Sequence, residues 1–141
     1  MKKIDKINGI ALCVIGLIVV IGAIALMISQ SNKTKEDVKV KITGSKIAIE
    51  GQFGTTIDAK DISEIKLLDT LPTIGTRVNG AESGEYKRGD FKVDDLGTCK
   101  LFINLKNGPF IYIEANDKYI INFNDKTKTL DVYDKLKEAI K

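Results

Sequence analysis

Basic residues able to grip an anion gather in one glycine-punctuated stretch: Arg77, Lys87 and Arg88, among Gly75, Gly80, Gly84 and Gly89. A guanidinium presents a planar fork of donors that matches a carboxylate or phosphate. Loops held on a rigid scaffold carry binding disproportionately. These three residues are therefore candidates for contact with an anion or an acidic protein segment. A competing explanation is local: Asn79-Gly80 makes a turn, and Arg77 pairs with Glu82 or Glu85. A second basic group, Lys39, Lys41 and Lys46, flanks a predicted hairpin and is the candidate lipid contact. Its competing explanation is a solvated strand face, with Lys39 taken up by Glu50.

Catalytic chemistry finds little support. The chain has no histidine, the commonest general base and metal ligand. Asp94-Asp95 could meet a cation, yet the pair sits in a predicted turn without a third ligand. Cys99 lies on an apolar strand face and reads as core rather than nucleophile. No phosphate-cradling loop pattern occurs. The expectation is a non-enzymatic protein with no metal and no cofactor.

Charge narrows the partners. Three of the 22 Lys/Arg and one of the 19 Asp/Glu precede residue 33, so the remainder carries a net charge of only +1. Such a balance gives no global field toward nucleic acid or anionic lipid. Cys13 and Cys99 stand far apart, one in the apolar segment and one beyond it, so the later residues hold no internal disulfide and leave the compartment open.

The elements that must position these residues begin with an apolar run. Residues Ile7–Asn32 carry no charge, and Ile10–Ile28 is solidly apolar. That length suits one membrane-spanning helix, which needs roughly 20 apolar residues. A cleaved signal peptide competes, with Lys2, Lys3 and Lys6 as its basic region and Ala23-Ile24-Ala25 as a cleavage site. Apolar residues continue past that site, which favours retention. A buried soluble helix would show a polar face, and none exists here. The organisation is thus a basic tail (1–9), a transmembrane helix (10–28), a polar stem (29–37) and a folded domain (38–141). Lysines flank both ends of the helix, so the positive-inside rule leaves only a slight lean toward an extracytoplasmic domain.

In the domain, Val38–Thr43 and Lys46–Glu50 alternate with period two around Gly44-Ser45, a two-residue hairpin turn. The register pairs Ile42 with Ile47 and Val40 with Ile49, and sets Lys39 opposite Glu50. Short strands are predicted at 55–59 and 64–69, then a long loop over 70–90. Strands resume at Phe91–Val93, Cys99–Leu105, 110–113 and Tyr119–Phe123. A loop at Asn107–Pro109 is expected to pair Leu105 with Ile111 and Ile103 with Ile113. Leu130, Tyr133, Leu136 and Ile140 then lie at helical spacing, with Asn124 or Asp125 as N-cap. The expected fold is mainly β: an antiparallel sandwich or barrel of about seven strands capped by a C-terminal helix.

This order of elements resembles the pleckstrin-homology (PH) superfold. Local sequence is similar to the small membrane-anchored bacterial PH-like family. The residues are Asp61-Ile62, Leu71-Pro72-x-Ile74-Gly75-x-Arg77-x-Asn79-Gly80, Gly89-x-Phe91-Lys92, Lys100–Ile103, Pro109-Phe110-Ile111-x-Ile113, and Thr129 before Tyr133. The likeness covers roughly residues 38–140 and departs at Ala81–Tyr86. It implies a scaffold rather than an activity. Basic residues near the first hairpin of eukaryotic PH domains often hold phosphoinositide head groups, and Lys39, Lys41 and Lys46 occupy that place. The functional expectation is a single-pass module of the cell membrane that binds a protein partner, by strand addition or through the Arg77–Gly89 loop, with anionic-lipid or small-ligand binding as the alternative.

Overall fold

The computed structural model describes residues 2–141, with side chains from Asn8 onward. Met1 and the side chains of Lys2, Lys3 and Lys6 lie outside the described residues. The chain divides into two units, Met1–Lys33 and Thr34–Lys141. Helix α1 spans Lys2–Lys35. It is long and apolar enough over Asn8–Lys35 to cross a membrane, and none of its apolar window is buried. The polar stem is mostly not a separate coil: residues 29–35 continue the helix.

The second unit is mainly β. Strands β1 (Lys39–Thr43), β2 (Lys46–Glu50) and β3 (Thr55–Asp58) form one sheet. A six-stranded sheet holds β4 (Glu64–Leu68), β5 (Ile74–Ser83), β6 (Tyr86–Val93), β7 (Gly97–Asn104), β8 (Phe110–Glu114) and β9 (Lys118–Ile121) in the order β4-β8-β9-β7-β6-β5. Helix α2 (Lys126–Ala139) closes the chain and starts at Asp125, whose carboxylate accepts from Thr127 N at 2.9 Å. The β1–β2 hairpin has the expected register, including Ile42 opposite Ile47 and Lys39 opposite Glu50.

Two expectations are corrected. The stretch 70–90 is not a loop; most of it is the β5–β6 hairpin, which raises the strand total to nine. The strand β5 sits at a sheet edge and is exposed along most of its length, so it has no buried face to impose an alternating pattern. The hairpin expected between 105 and 111 also does not form. Instead β9 inserts between β7 and β8, antiparallel to β8 and parallel to β7.

A side chain extends the β7–β9 seam past its last rung. Beyond the last β7–β9 rung, the side chain of Asn122 replaces a strand's backbone. Its Oδ1 accepts from Asn104 N at 2.7 Å, while its Nδ2 donates to Asn104 O at 2.8 Å and Asn107 O at 2.9 Å. Asn122 is buried, and these bonds satisfy groups that would otherwise be costly to desolvate.

Central strands β7, β8 and β9 are buried on both faces, as expected for the middle of a covered sheet. One face places Phe102, Ile111, Ile113 and Ile121 against Ile47, Ile49 and Ile57 of the small sheet and Leu136 of α2. The other collects Phe91, Leu101, Ile103, Tyr112 and Ile120. The connection 69–73 joins β4 to β5, the two outer strands, and adds Leu71 to that second cluster. A chain step reaches at most ~3.5 Å, so Leu68 to Ile74 spans roughly 20 Å. Six flat strands would set their outer members about 24 Å apart. The sheet must therefore curl toward a half-barrel over this second core.

Candidate functional site

The structure separates the three candidate residues of the 77–89 stretch. Lys87 and Arg88 are adjacent on β6, so their side chains leave opposite faces. Arg77 lies one strand away on β5, opposite Phe91.

Arg88 is buried, with 2% of its surface exposed. Its Nη1 donates to Lys87 O at 3.0 Å and Ile103 O at 2.9 Å, and its Nη2 to Glu36 O at 2.9 Å. Burial draws its pKa below the ordinary value, opposed by the Asp37 carboxylate nearby. Arg88 is therefore a structural clamp on the residues that follow α1, not a surface anion site. Other bonds hold the same segment. Thr34 Oγ1 reaches Gln52 Oε1 at 2.9 Å, Asn124 N donates to Asp37 Oδ1 at 3.0 Å, and Lys128 stands 3.6 Å from the Asp37 carboxylate. Val38 is buried in the first core.

Two glycines bring the β5 and β6 backbones close together beside Arg88. Gly80 and Gly89 face each other across β5 and β6. A Cβ on Gly80 would collide with Arg88 O, and one on Gly89 with Asn79 O; Gly89 also has φ +105°, a conformation that favours glycine. This close approach lies within the expected turn at Asn79-Gly80, which is strand.

Lys87 turns to the other face. Its ammonium is 2.6 Å from Glu82 and 5.4 Å from the centre of the Phe91 ring. The Glu82 carboxyl is held below its usual range by the hydrogen bond from Lys87, with Arg77 adding a smaller effect. Glu82 thus pairs with Lys87 rather than Arg77, and Arg77 remains exposed on the edge strand.

The β1–β2 lysines are all exposed. Lys41, not Lys39, takes Glu50, at 3.1 Å, a diagonal pairing across the hairpin. Lys46 reaches Asp58 of β3 at 2.7 Å, and that bond raises the lysine pKa and lowers the carboxylate's. Two of the three candidate lipid contacts are therefore already engaged.

Among the described residues, no group of three or more His, Cys, Asp or Glu gathers to hold a metal. Cys99 is buried at 1% exposure, and burial raises its thiol pKa, which suppresses the thiolate. Asp94 and Asp95 are exposed in the β6–β7 turn.

Edge geometry supplies the feature that the sequence patterns did not reveal. Four strands are edges: β1 and β3 of the small sheet, β4 and β5 of the large one. Helix α2 packs against β1 and β4. Strand β3 is only four residues long. The ten-residue β5 is left as the long open edge. Its register shifts twice, between Ile74 and Arg77 and again between Arg77 and Asn79. Val78 falls at the second irregularity and is 57% exposed. Bulges commonly re-aim a side chain in this way. From Asn79 to Ser83 the pairing to β6 is regular, so the outer side of Asn79–Glu82 presents an undistorted backbone edge.

Comparison with known proteins adds no relative: no family model, curated protein or solved structure matches this chain.

Proposed function

We propose that this chain is a non-enzymatic, single-pass membrane module whose PH-like domain binds a protein partner at the membrane surface, with β5 as the docking edge. The open β5 edge, displaying Val78 and Arg77 outward, is the observation that carries this reading. An extended partner segment adds its backbone hydrogen bonds along Asn79–Glu82, while pockets and charges beside the edge select its side chains. Exposed, unpaired edges are otherwise avoided in proteins, because they recruit strands indiscriminately. Here the two register shifts limit the available edge to a short regular stretch, which favours a specific partner. Arg77 suits an acidic side chain of that partner.

A mainly β domain followed by a closing helix supports the PH-like assignment, and α1 supports membrane attachment. Attachment through a helix also removes the need for the domain to hold lipid. The test uses the full chain in nanodiscs. The proposal predicts that raising the lipid from zwitterionic to strongly anionic leaves the Lys39, Lys41 and Lys46 amides unperturbed, while a partner-derived peptide protects Asn79–Glu82 from hydrogen exchange. Lipid-dependent, salt-sensitive perturbation of the β1–β2 lysines would favour the head-group alternative.

A further inference from the structure

The outer edge of β5 carries a pattern that its own sequence complements. The β5–β6 hairpin closes on Gly84-Glu85, with Ser83 paired to Tyr86 and φ +57° at Gly84, the first loop position. A closing pair of this kind exchanges its backbone bonds within the hairpin, and the direction alternates along the strand. Ala81 therefore bonds inward to β6, while Gly80 and Glu82 turn their N–H and C=O groups outward.

The register also sorts the side chains. Glu82 stands opposite Lys87, Gly80 opposite Gly89 and Arg77 opposite Phe91, and those β6 residues share one face. Positions 77 and 82 would leave opposite faces of a regular strand; the shift between Arg77 and Asn79 brings them onto the same one. Lys87 holds Glu82 Oε2 at 2.6 Å, which leaves Oε1 to accept from a second cation. Among the described residues no carboxylate lies within ion-pair distance of Arg77, whose charge reaches Glu82 of its own chain only as a minor, longer-range attraction. On the other face Asp90 is taken by Lys100 at 3.6 Å, and Arg88 is buried.

We infer that the strand docking on β5 is β5 of a second copy of this chain, antiparallel, with Gly80 facing Gly80 across a two-fold axis. The second copy is thus the occupant of the docking edge proposed above, and it rests on that reading. Antiparallel strands bond where outward-facing residues oppose one another, and opposed residues share a face of the sheet. Centring on Gly80 meets both conditions. The outward N–H and C=O of Gly80 bond their counterparts, Asn79 stands opposite Ala81, and Glu82 reaches the doubled position at Val78-Arg77. Symmetry makes this contact twice, so each Glu82 carboxylate sits between Lys87 of its own chain and Arg77 of the other. One step further along, Glu82 would face Gly80, and Arg77 would meet the Gly84-Glu85 loop, where no strand continues. Charge complementarity therefore selects the Gly80 register. Copies tethered to one bilayer meet at a high local concentration, so a short seam suffices.

The experiment measures energy transfer between donor- and acceptor-labelled full-length chains in phosphatidylcholine vesicles. Labels are attached through Ser45→Cys on a background lacking Cys13 and Cys99. The parent should show transfer above chance proximity that saturates with protein density. Arg77→Glu alone and Glu82→Arg alone should each weaken self-association by roughly tenfold, since two symmetric attractions become repulsions. Mixing the two variants should restore it, because one copy then presents two carboxylates and the other two guanidiniums. Near-ultraviolet circular dichroism matching the parent keeps each variant distinct from a misfolded one. Association unchanged in both single variants would place the contact elsewhere, for instance in the membrane helix, and overturn the inference. A mixture no better than either variant alone would do the same. Parent transfer at the chance level, with a photo-adduct from position 78 to a different protein in host membranes, would overturn the second copy and leave docking at β5 standing. Absence of any adduct from position 78 would remove both.

Discussion

Replacing Arg88 with methionine should unfold the domain at a much lower temperature and loosen the segment that follows α1. The guanidinium donates to three carbonyls at 2.9 to 3.0 Å while only 2% exposed. Each hydrogen bond from a charged donor is worth about 1.5–3 kcal/mol, so the three together contribute roughly 5–9 kcal/mol. Burying the charge costs several kcal/mol in return. Its only nearby carboxylate influence is that of Asp37, itself bound to Asn124 N and facing Lys128. Methionine keeps much of the apolar volume but leaves carbonyls without donors. The net loss is about 2–4 kcal/mol. For a domain near 100 residues this lowers Tm by roughly 10–20 °C. The four tyrosines, Tyr86, Tyr112, Tyr119 and Tyr133, all belong to the folded unit, so near-ultraviolet circular dichroism of the full chain in neutral micelles reports on it alone. Trypsin cleavage after Lys35 should accelerate in parallel. Arg88→Lys should lose most of the same stability, because one ammonium cannot span three carbonyls. A Tm within about 3 °C of the parent for Arg88→Met, or full stability in Arg88→Lys, would refute the clamp.

Three further outcomes follow from the same structure. Asn122→Ala should destabilise the domain by about 2–4 kcal/mol in denaturant titration, since it strands Asn104 N–H and two carbonyls at the end of the β7–β9 ladder; a loss below 1 kcal/mol, on the same net scale per bond, would mean the ladder does not depend on it. The Lys46 bond depresses the Asp58 pKa, so its stabilisation is complete above the unfolded carboxylate value near 4 and fades as pH falls through the lower folded value. Asp58→Asn should therefore flatten part of the acid-side slope in thermal scans below about pH 4 and leave the slope above pH 6 unchanged. A single cysteine at Ser45, on a background lacking Cys13 and Cys99, should react with an impermeant maleimide in intact cells if the domain is extracytoplasmic; protection lost only on lysis would reverse that orientation.

The parts of the fold legible in the sequence are those with one wet face and one dry face. The β1–β2 register followed from alternation and Gly44-Ser45, and α2 followed from its helical spacing and the Asp125 cap. Where that asymmetry vanished, legibility did too. Strands β7, β8 and β9 are apolar on both sides, so periodicity could not choose between neighbours, and a hairpin at Asn107–Pro109 looked natural. The seam is extended by the bifunctional amide of Asn122, a residue indistinguishable in sequence from a turn former. Strand β5 fails in the opposite sense: it is wet on most positions and interrupted by glycine and bulges.

The sequence showed three cations in one glycine-punctuated stretch but not where each would sit. Arg77, Lys87 and Arg88 lie close in the chain, yet adjacent positions on a strand point apart, so the trio divides. One became an internal clamp, one pairs with Glu82, and one remains on the open edge. Nothing in the sequence signalled that Gly80 would face Gly89, a pairing that arises from a register only the hairpin establishes.

Site-specific photo-cross-linking from position 78, in membranes of the native host, tests docking at the β5 edge most directly. Docking at this edge predicts one discrete protein adduct, abolished by proline at Asn79 or Ala81, where a strand must pair, and absent when the probe stands at Ser45 or Lys135. The same adduct from all three positions, survival of the adduct in the proline variants, or adducts to lipid alone would contradict it.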